Sequence, residues 1–113
     1  MHELGLCDSV LDAVERRAEG RPVARVRLQV GVLHRVVPEA FNQAFALVSA
    51  GTIADGAAVD LVSVPVRTAC TTCGAENDAV DEPLACPGCG SIDVTWTGGD
   101  QLVLESLEYR PCA

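Results

Sequence analysis

The sequence predicts an α+β fold: two helices packed on a three-stranded sheet, with a four-cysteine module inserted before the last strand. Three patterns predict it. Apolar residues recur at helical spacing over residues 4–19 and again after Pro38. Apolar and polar residues alternate over 23–31, and strand-forming runs cover 57–66 and 101–109. Two Cys-x-x-Cys pairs, Cys70/Cys73 and Cys86/Cys89, interrupt the second and third of these runs. The expected order is helix, strand, helix, strand, cysteine module, strand. That gives one domain from residues 1–66 plus 98–113 and an inserted domain from 67–97.

Each element has a local cause. Leu4, Cys7, Leu11, Val14 and Ala18 form the stripe of the first helix, which Gly20 and Pro22 end. In the first strand Val26, Leu28 and Val30 share one face, and Arg25, Arg27 and Gln29 the other. Pro38 suits the opening turn of the second helix, because its missing N–H would have no partner there. Phe41, Ala44, Phe45 and Val48 are its expected buried stripe, and Gly51 its end. Pro65, near the end of the run 57–66, marks an edge or a termination, since it donates nothing to a ladder. Gly98-Gly99-Asp100 is an expected turn. Along 101–109 the apolar parity changes between Leu104 and Leu107, which points to a bulge.

Composition narrows the function. The chain has 113 residues, 49% hydrophobic with four aromatics, so its core must be mostly aliphatic. Net charge is −8, with eight arginines and no lysine. Such a chain repels phosphate backbones and anionic membranes, so a cation or a basic protein surface is the expected partner. Residues 67–97 carry one base, Arg67, against five acids, the reverse of a nucleic-acid-binding ribbon. No basic-then-apolar leader and no membrane-length apolar run is visible, so a cytoplasmic location is expected. Six cysteines in a reducing compartment point to metal ligation rather than disulfides.

In Cys70-Thr-Thr-Cys73-Gly74 and Cys86-Pro-Gly-Cys89-Gly90, the two-residue spacing lets both sulfurs of a pair face one cation from one tight turn. The glycine after each pair supplies the positive φ that aims backbone N–H groups at the sulfurs. Four thiolates make the tetrahedral set of a structural zinc, and the insert a zinc-ribbon-like domain. The same cage also suits iron, as in rubredoxin.

At the other end, the bulky His2 should keep Met1 from being removed. The Met1 α-amine, the His2 backbone nitrogen and the His2 imidazole can close fused rings on one cation, and the Glu3 backbone nitrogen can complete a planar set. Four nitrogens in a plane suit Ni(II) or Cu(II). A lone histidine is otherwise most often bland.

Together, Met1-His2-Glu3-Leu4 opening a helix, Val30-Gly31-Val32-Leu33 followed by Pro38-Glu39-Ala40, the spaced cysteine knuckles, and Gly98-Gly99-Asp100 before Leu102 resemble the HypA/HybF family of nickel metallochaperones. The resemblance covers nearly the whole chain. It implies transferable nickel on Met1, His2 and Glu3, structural zinc on Cys70, Cys73, Cys86 and Cys89, and delivery to the active site of NiFe-hydrogenase, with urease served in some members. The implied partners are a nickel-binding GTPase of the HypB type, the hydrogenase large subunit and urease accessory proteins, with the chain itself a monomer or weak homodimer. The rival reading is a zinc-ribbon protein–protein adaptor that delivers no metal. No nucleophile–base pair, phosphate loop or carboxylate dyad is present, so no enzyme is expected. His34 is expected in a solvent-exposed loop, Cys7 as a small buried hydrophobe, and Cys112 as a loose thiol in the tail.

Overall fold

The computed structural model describes residues 2–80 and 85–111. In chain order the elements are α1 (His2–Ala18), β1 (Val23–Gly31), a 3₁₀ turn (Val32–His34), α2 (Pro38–Ser49), β2 (Ala58–Val64), β3 (Val66–Cys70), β4 (Glu76–Ala79), β5 (Val94–Gly98) and β6 (Leu102–Tyr109). The strands form two three-stranded sheets, ordered β2-β1-β6 and β4-β3-β5. The chain divides into two compact units, Met1–Gln29 with Val36–Val62 and Val103–Ala113, and Val30–Arg35 with Ser63–Leu102.

The first unit has an aliphatic core with two aromatic rings. Cys7, Val10, Leu11, Val14 and Ala18 of α1 are buried, as are Phe41, Ala44 and Phe45 of α2 and Val23, Val26 and Leu28 of β1. The Phe41 and Phe45 rings stack with centroids 6.3 Å apart. α1 ends where expected: Gly20 takes φ 85°. On α2 the buried stripe differs from expectation, because Val48 is half-buried and Ser49 is buried instead. The Ser49 carbonyl accepts from the backbone N and Oγ1 of Thr52, at 2.9 and 2.7 Å, which folds the following turn back at the helix end. The polar face of β1 is covered by ion pairs. Arg25 spans Asp60 on β2 and Glu108 on β6, and Arg27 meets Glu105 on β6. All are solvent-exposed, so water and salt screen them and each adds little to stability. Burial along β6 changes phase between Leu104 and Leu107, as the sequence suggested.

The expected single strand over 57–66 is two strands. Pro65 lies between β2 of one sheet and β3 of the other. Having no N–H, it leaves the ladder open at the point where the chain changes sheets. β3 then alternates cleanly, with Val66, Thr68 and Cys70 buried. It pairs antiparallel with β4, Val66 opposite Ala79, and with β5, Val66 opposite Gly98 and Cys70 opposite Val94. The expected zinc-ribbon-like module is therefore built on a small three-stranded sheet.

Within this second unit the 3₁₀ turn is tied to the segment before β6. Gly31 N donates to the Gln101 carbonyl at 2.7 Å and Leu33 N to the Gly99 carbonyl at 2.8 Å. A Cβ on Gly31 would collide with the Gly99 carbonyl, and one on Gly99 with the Val66 side chain.

Phe41→Ala should destabilise the first unit by roughly 3–5 kcal/mol, the cost of emptying a filled aromatic site. Urea titration followed by far-ultraviolet circular dichroism measures this, and a cost under about 1 kcal/mol would contradict the packing described.

Candidate metal centre

β3 delivers Cys70 at its C-terminal end, and β5 begins four residues after Gly90. Between them the two knuckles are built alike. Cys70 N donates to the Ala75 carbonyl at 2.9 Å, and Cys86 N to the Ser91 carbonyl at 2.8 Å. Gly74 N returns to the Cys70 carbonyl at 3.0 Å, and Gly90 N to the Cys86 carbonyl at 2.8 Å. Both turns need the left-handed region at the glycine, with φ 75° at Gly74 and 77° at Gly90. Backbone N–H groups approach the first sulfur of each pair, Cys73 N to Cys70 Sγ at 3.5 Å and Gly88 N to Cys86 Sγ at 3.4 Å. Thr71 N and Oγ1 both donate to the Asp93 carbonyl, and Thr72 Oγ1 lies 2.8 Å from Ser91 Oγ, so the knuckles are laced together.

All four sulfurs lie within 4.8 Å of one another. Cys70 Sγ is 3.6 Å from Cys89 Sγ, and Cys73 Sγ is 3.7 Å from Cys86 Sγ. A disulfide would require roughly 2.05 Å. A tetrahedron with metal–sulfur bonds of roughly 2.3 Å has edges of roughly 3.8 Å, close to the separations found. Cys70 and Cys86 are buried, and Cys73 and Cys89 are exposed. The cage is thus a four-cysteine metal-binding cluster whose four sulfurs would fill a tetrahedral set and leave no open coordination position for a substrate. It is the one such cluster among the described residues.

The donor groups are already biased toward a cation. The backbone N–H of Cys73 is the main influence pulling the Cys70 thiol from its ordinary 9.0 down to about 6. The backbone N–H groups of Cys89 and Gly88 hold Cys86 below its ordinary value. Cys89 accepts from the Ser91 N–H, which favours its thiolate. The neighbouring thiols of Cys70, Cys73 and Cys86 outweigh this and push it up to about 12. Four negative sulfurs are therefore not tolerated together without a positive charge among them.

Other residues singled out in the sequence fall elsewhere. Cys7 is fully buried in α1, and its thiol donates to the Phe41 carbonyl at 3.5 Å. Burial first, then Asp8 and Glu3, push it up to about 11. His34 is not in an exposed loop. It is half-buried in the 3₁₀ turn, and its Nε2 lies 2.8 Å from the Asp100 carbonyl, so that nitrogen carries the proton. Nothing in the sequence signalled this pairing across the chain. Glu3 is in the first turn of α1. Met1, the His2 side chain and Cys112 lie outside the described residues. Among the described residues no helix is long and apolar enough to cross a membrane.

Removal of metal with a strong chelator should unfold the second unit, read by Trp96 fluorescence, and leave the α1–α2 core intact. In the stripped protein the unfolded second unit loses the backbone N–H groups that hold the Cys70 thiol down, so Cys70 should alkylate as an accessible thiol of ordinary value, 9.0, reacting measurably from neutral pH upward. Cys7 should stay unreactive until the pH approaches about 11. Peptide mapping of the labelled protein checks both, and equal labelling of the two cysteines near neutral pH would refute them.

Comparison with known proteins agrees with this architecture. Residues 1–109 match the family described as HypA: Hydrogenase/urease nickel incorporation, metallochaperone, hypA. The chain is 38% identical over 111 residues to hydrogenase maturation factor HypA of Rhodopseudomonas palustris, covering 96% of this chain and 98% of that one. It is 36% identical over 113 residues to the factor of the same name from Acidithiobacillus ferrooxidans, covering 97% and 100%. The solution structure of the Ni metallochaperone HypA from Helicobacter pylori superimposes with a TM-score of 0.63 at 25% identity, covering 96% of this chain and 97% of that one. With its two helices, paired small sheets and four-cysteine cage, the chain belongs to the HypA family of hydrogenase/urease nickel-incorporation metallochaperones, which are maturation factors and not catalysts.

Proposed function

We propose that this protein takes up Ni(II) at its own N-terminus and passes it on for insertion into a NiFe-hydrogenase, with urease as a second recipient. The ligands are the Met1 α-amine, the His2 backbone nitrogen and imidazole, and the Glu3 backbone nitrogen. The observation that carries the reading is that the family match starts at residue 1. It therefore takes in Met1-His2-Glu3 together with all four cysteines. Planar nitrogen coordination suits Ni(II), and a terminal site of three residues is open enough to surrender its cargo. Maturation factors of the same name among the relatives favour hydrogenase as the recipient. Urease enters through the family's description.

Zn(II) is the resident of the cysteine cage. It has no redox chemistry, accepts a regular tetrahedron of thiolates, and in a closed site serves folding. Nickel belongs to the first unit and zinc to the second. The hand-off runs to a GTPase of the HypB type and the hydrogenase large subunit, or to urease accessory proteins, in the cytoplasm, where thiols stay reduced.

His2→Ala should abolish stoichiometric nickel binding and leave zinc occupancy unchanged, as measured by metal counting on untagged protein after nickel loading. The chain has no lysine, so amine-directed acetylation reaches the α-amine alone and should have the same effect. Nickel should dissociate as pH falls through the amine and imidazole ranges, roughly 8 down to 6.5, because protons compete for both donors. Full nickel occupancy in the acetylated protein would overturn the reading.

A further inference from the structure

α1 is anchored unevenly along its length. From Cys7 onward one face is sealed, with Cys7 and Val14 at 0% exposure and Val10 at 2%. Among the described side chains before Cys7, none is buried: Glu3, Leu4 and Leu6 are half-buried, and Gly5 is exposed. The opening turn therefore depends on intrinsic helix propensity more than on packing. At that point the sequence places glycine, the weakest helix former after proline.

The fold itself gives no reason for that glycine. Gly74 and Gly90 need a positive φ, and Gly31 and Gly99 face atoms a Cβ would strike. Gly5 has a negative φ inside the helix, and a Cβ built on it meets nothing within 4 Å. Alanine would fit without strain and would stabilise the turn.

Nickel chemistry at the terminus supplies a reason. When consecutive backbone nitrogens bind one cation, each five-membered ring draws the intervening N–Cα–C–N torsion toward zero. A helix holds that torsion near roughly −42°. The His2 torsion, helical in α1, would have to leave that value in the chelate, so the helical start of α1 and the chelate compete, and whatever stabilises one weakens the other.

We propose that Gly5 is a positioning residue for nickel capture. It keeps the turn before Cys7 near the helix–coil balance, so that the terminus unwinds to wrap the cation and rewinds when the cation leaves. This rests on the terminal nickel site proposed above.

The test is a series at one position, Gly5→Thr, Gly5→Ser and Gly5→Ala, in the untagged full chain with its cysteine site loaded. Nickel dissociation constants from competition with a chromogenic chelator should rise in that order, by roughly four- to fivefold for alanine. Square-planar Ni(II) is diamagnetic, so ¹³Cα shifts remain readable. On loading, residues 3–5 should lose helical values while 7–18 keep them. A flat series, tighter binding by Gly5→Ala, or helical shifts retained at 3–5 in the nickel-bound protein would overturn the proposal. If wild-type protein takes up no nickel at the terminus, the functional reading itself falls. If it does and the series is flat, only the role of Gly5 falls.

Discussion

Four sulfurs brought within 4.8 Å of one another impose the constraint on which the second unit depends. Backbone N–H groups favour thiolates at Cys70 and Cys86, while the crowding of like groups resists ionisation at Cys89. A cation at the centre would resolve the conflict for all four at once. The surrounding sheet is too small to supply much folding energy: β4 has four residues, β3 and β5 five each. Its strands present two turns of the same design to one point, and a metal bound there would in turn fix the strands.

The first unit is stabilised differently. It has an ordinary core in which α1, α2 and β1 exclude water from aliphatic side chains and a stacked phenylalanine pair. That division suits a carrier. The cargo site proposed at the start of α1 would change shape without disturbing the core from Cys7 onward, and the four-cysteine cluster lies in a separately stabilised unit.

Much of this was legible in the residues. The knuckles declared themselves because two-residue spacing followed by glycine has few other uses, and the structure gives both glycines the positive φ that the spacing required. Helices α1 and α2 and strand β1 follow their apolar periods closely. Pro65 marked the end of β2, but the start of β3 one residue later was hidden because the run of residues 57–66 reads on across the proline. A change of sheet leaves no signature beyond the proline itself. Strands β4 and β5 were hidden for another reason: Glu76-Asn77-Asp78-Ala79 has no apolar alternation, and Val94-Thr95-Trp96-Thr97-Gly98, which does alternate, is short and mostly exposed. The position of His34 depends on a contact 66 residues away, which no local pattern encodes. Ser49 in place of Val48 likewise reflects a turn beyond the helix end.

The knuckles share their hydrogen bonding, and they also share an orientation. In each, the leading cysteine is sheltered and the trailing one faces water. Peroxide or another electrophile arriving from solvent therefore meets Cys73 and Cys89 before the inner pair. Damage confined to those outer sulfurs would leave Cys70 and Cys86, one from each turn, as the remaining donors to a cation held there. Ageing of the centre thus begins at its rim, and the bond between the two halves of the ribbon is the last to go.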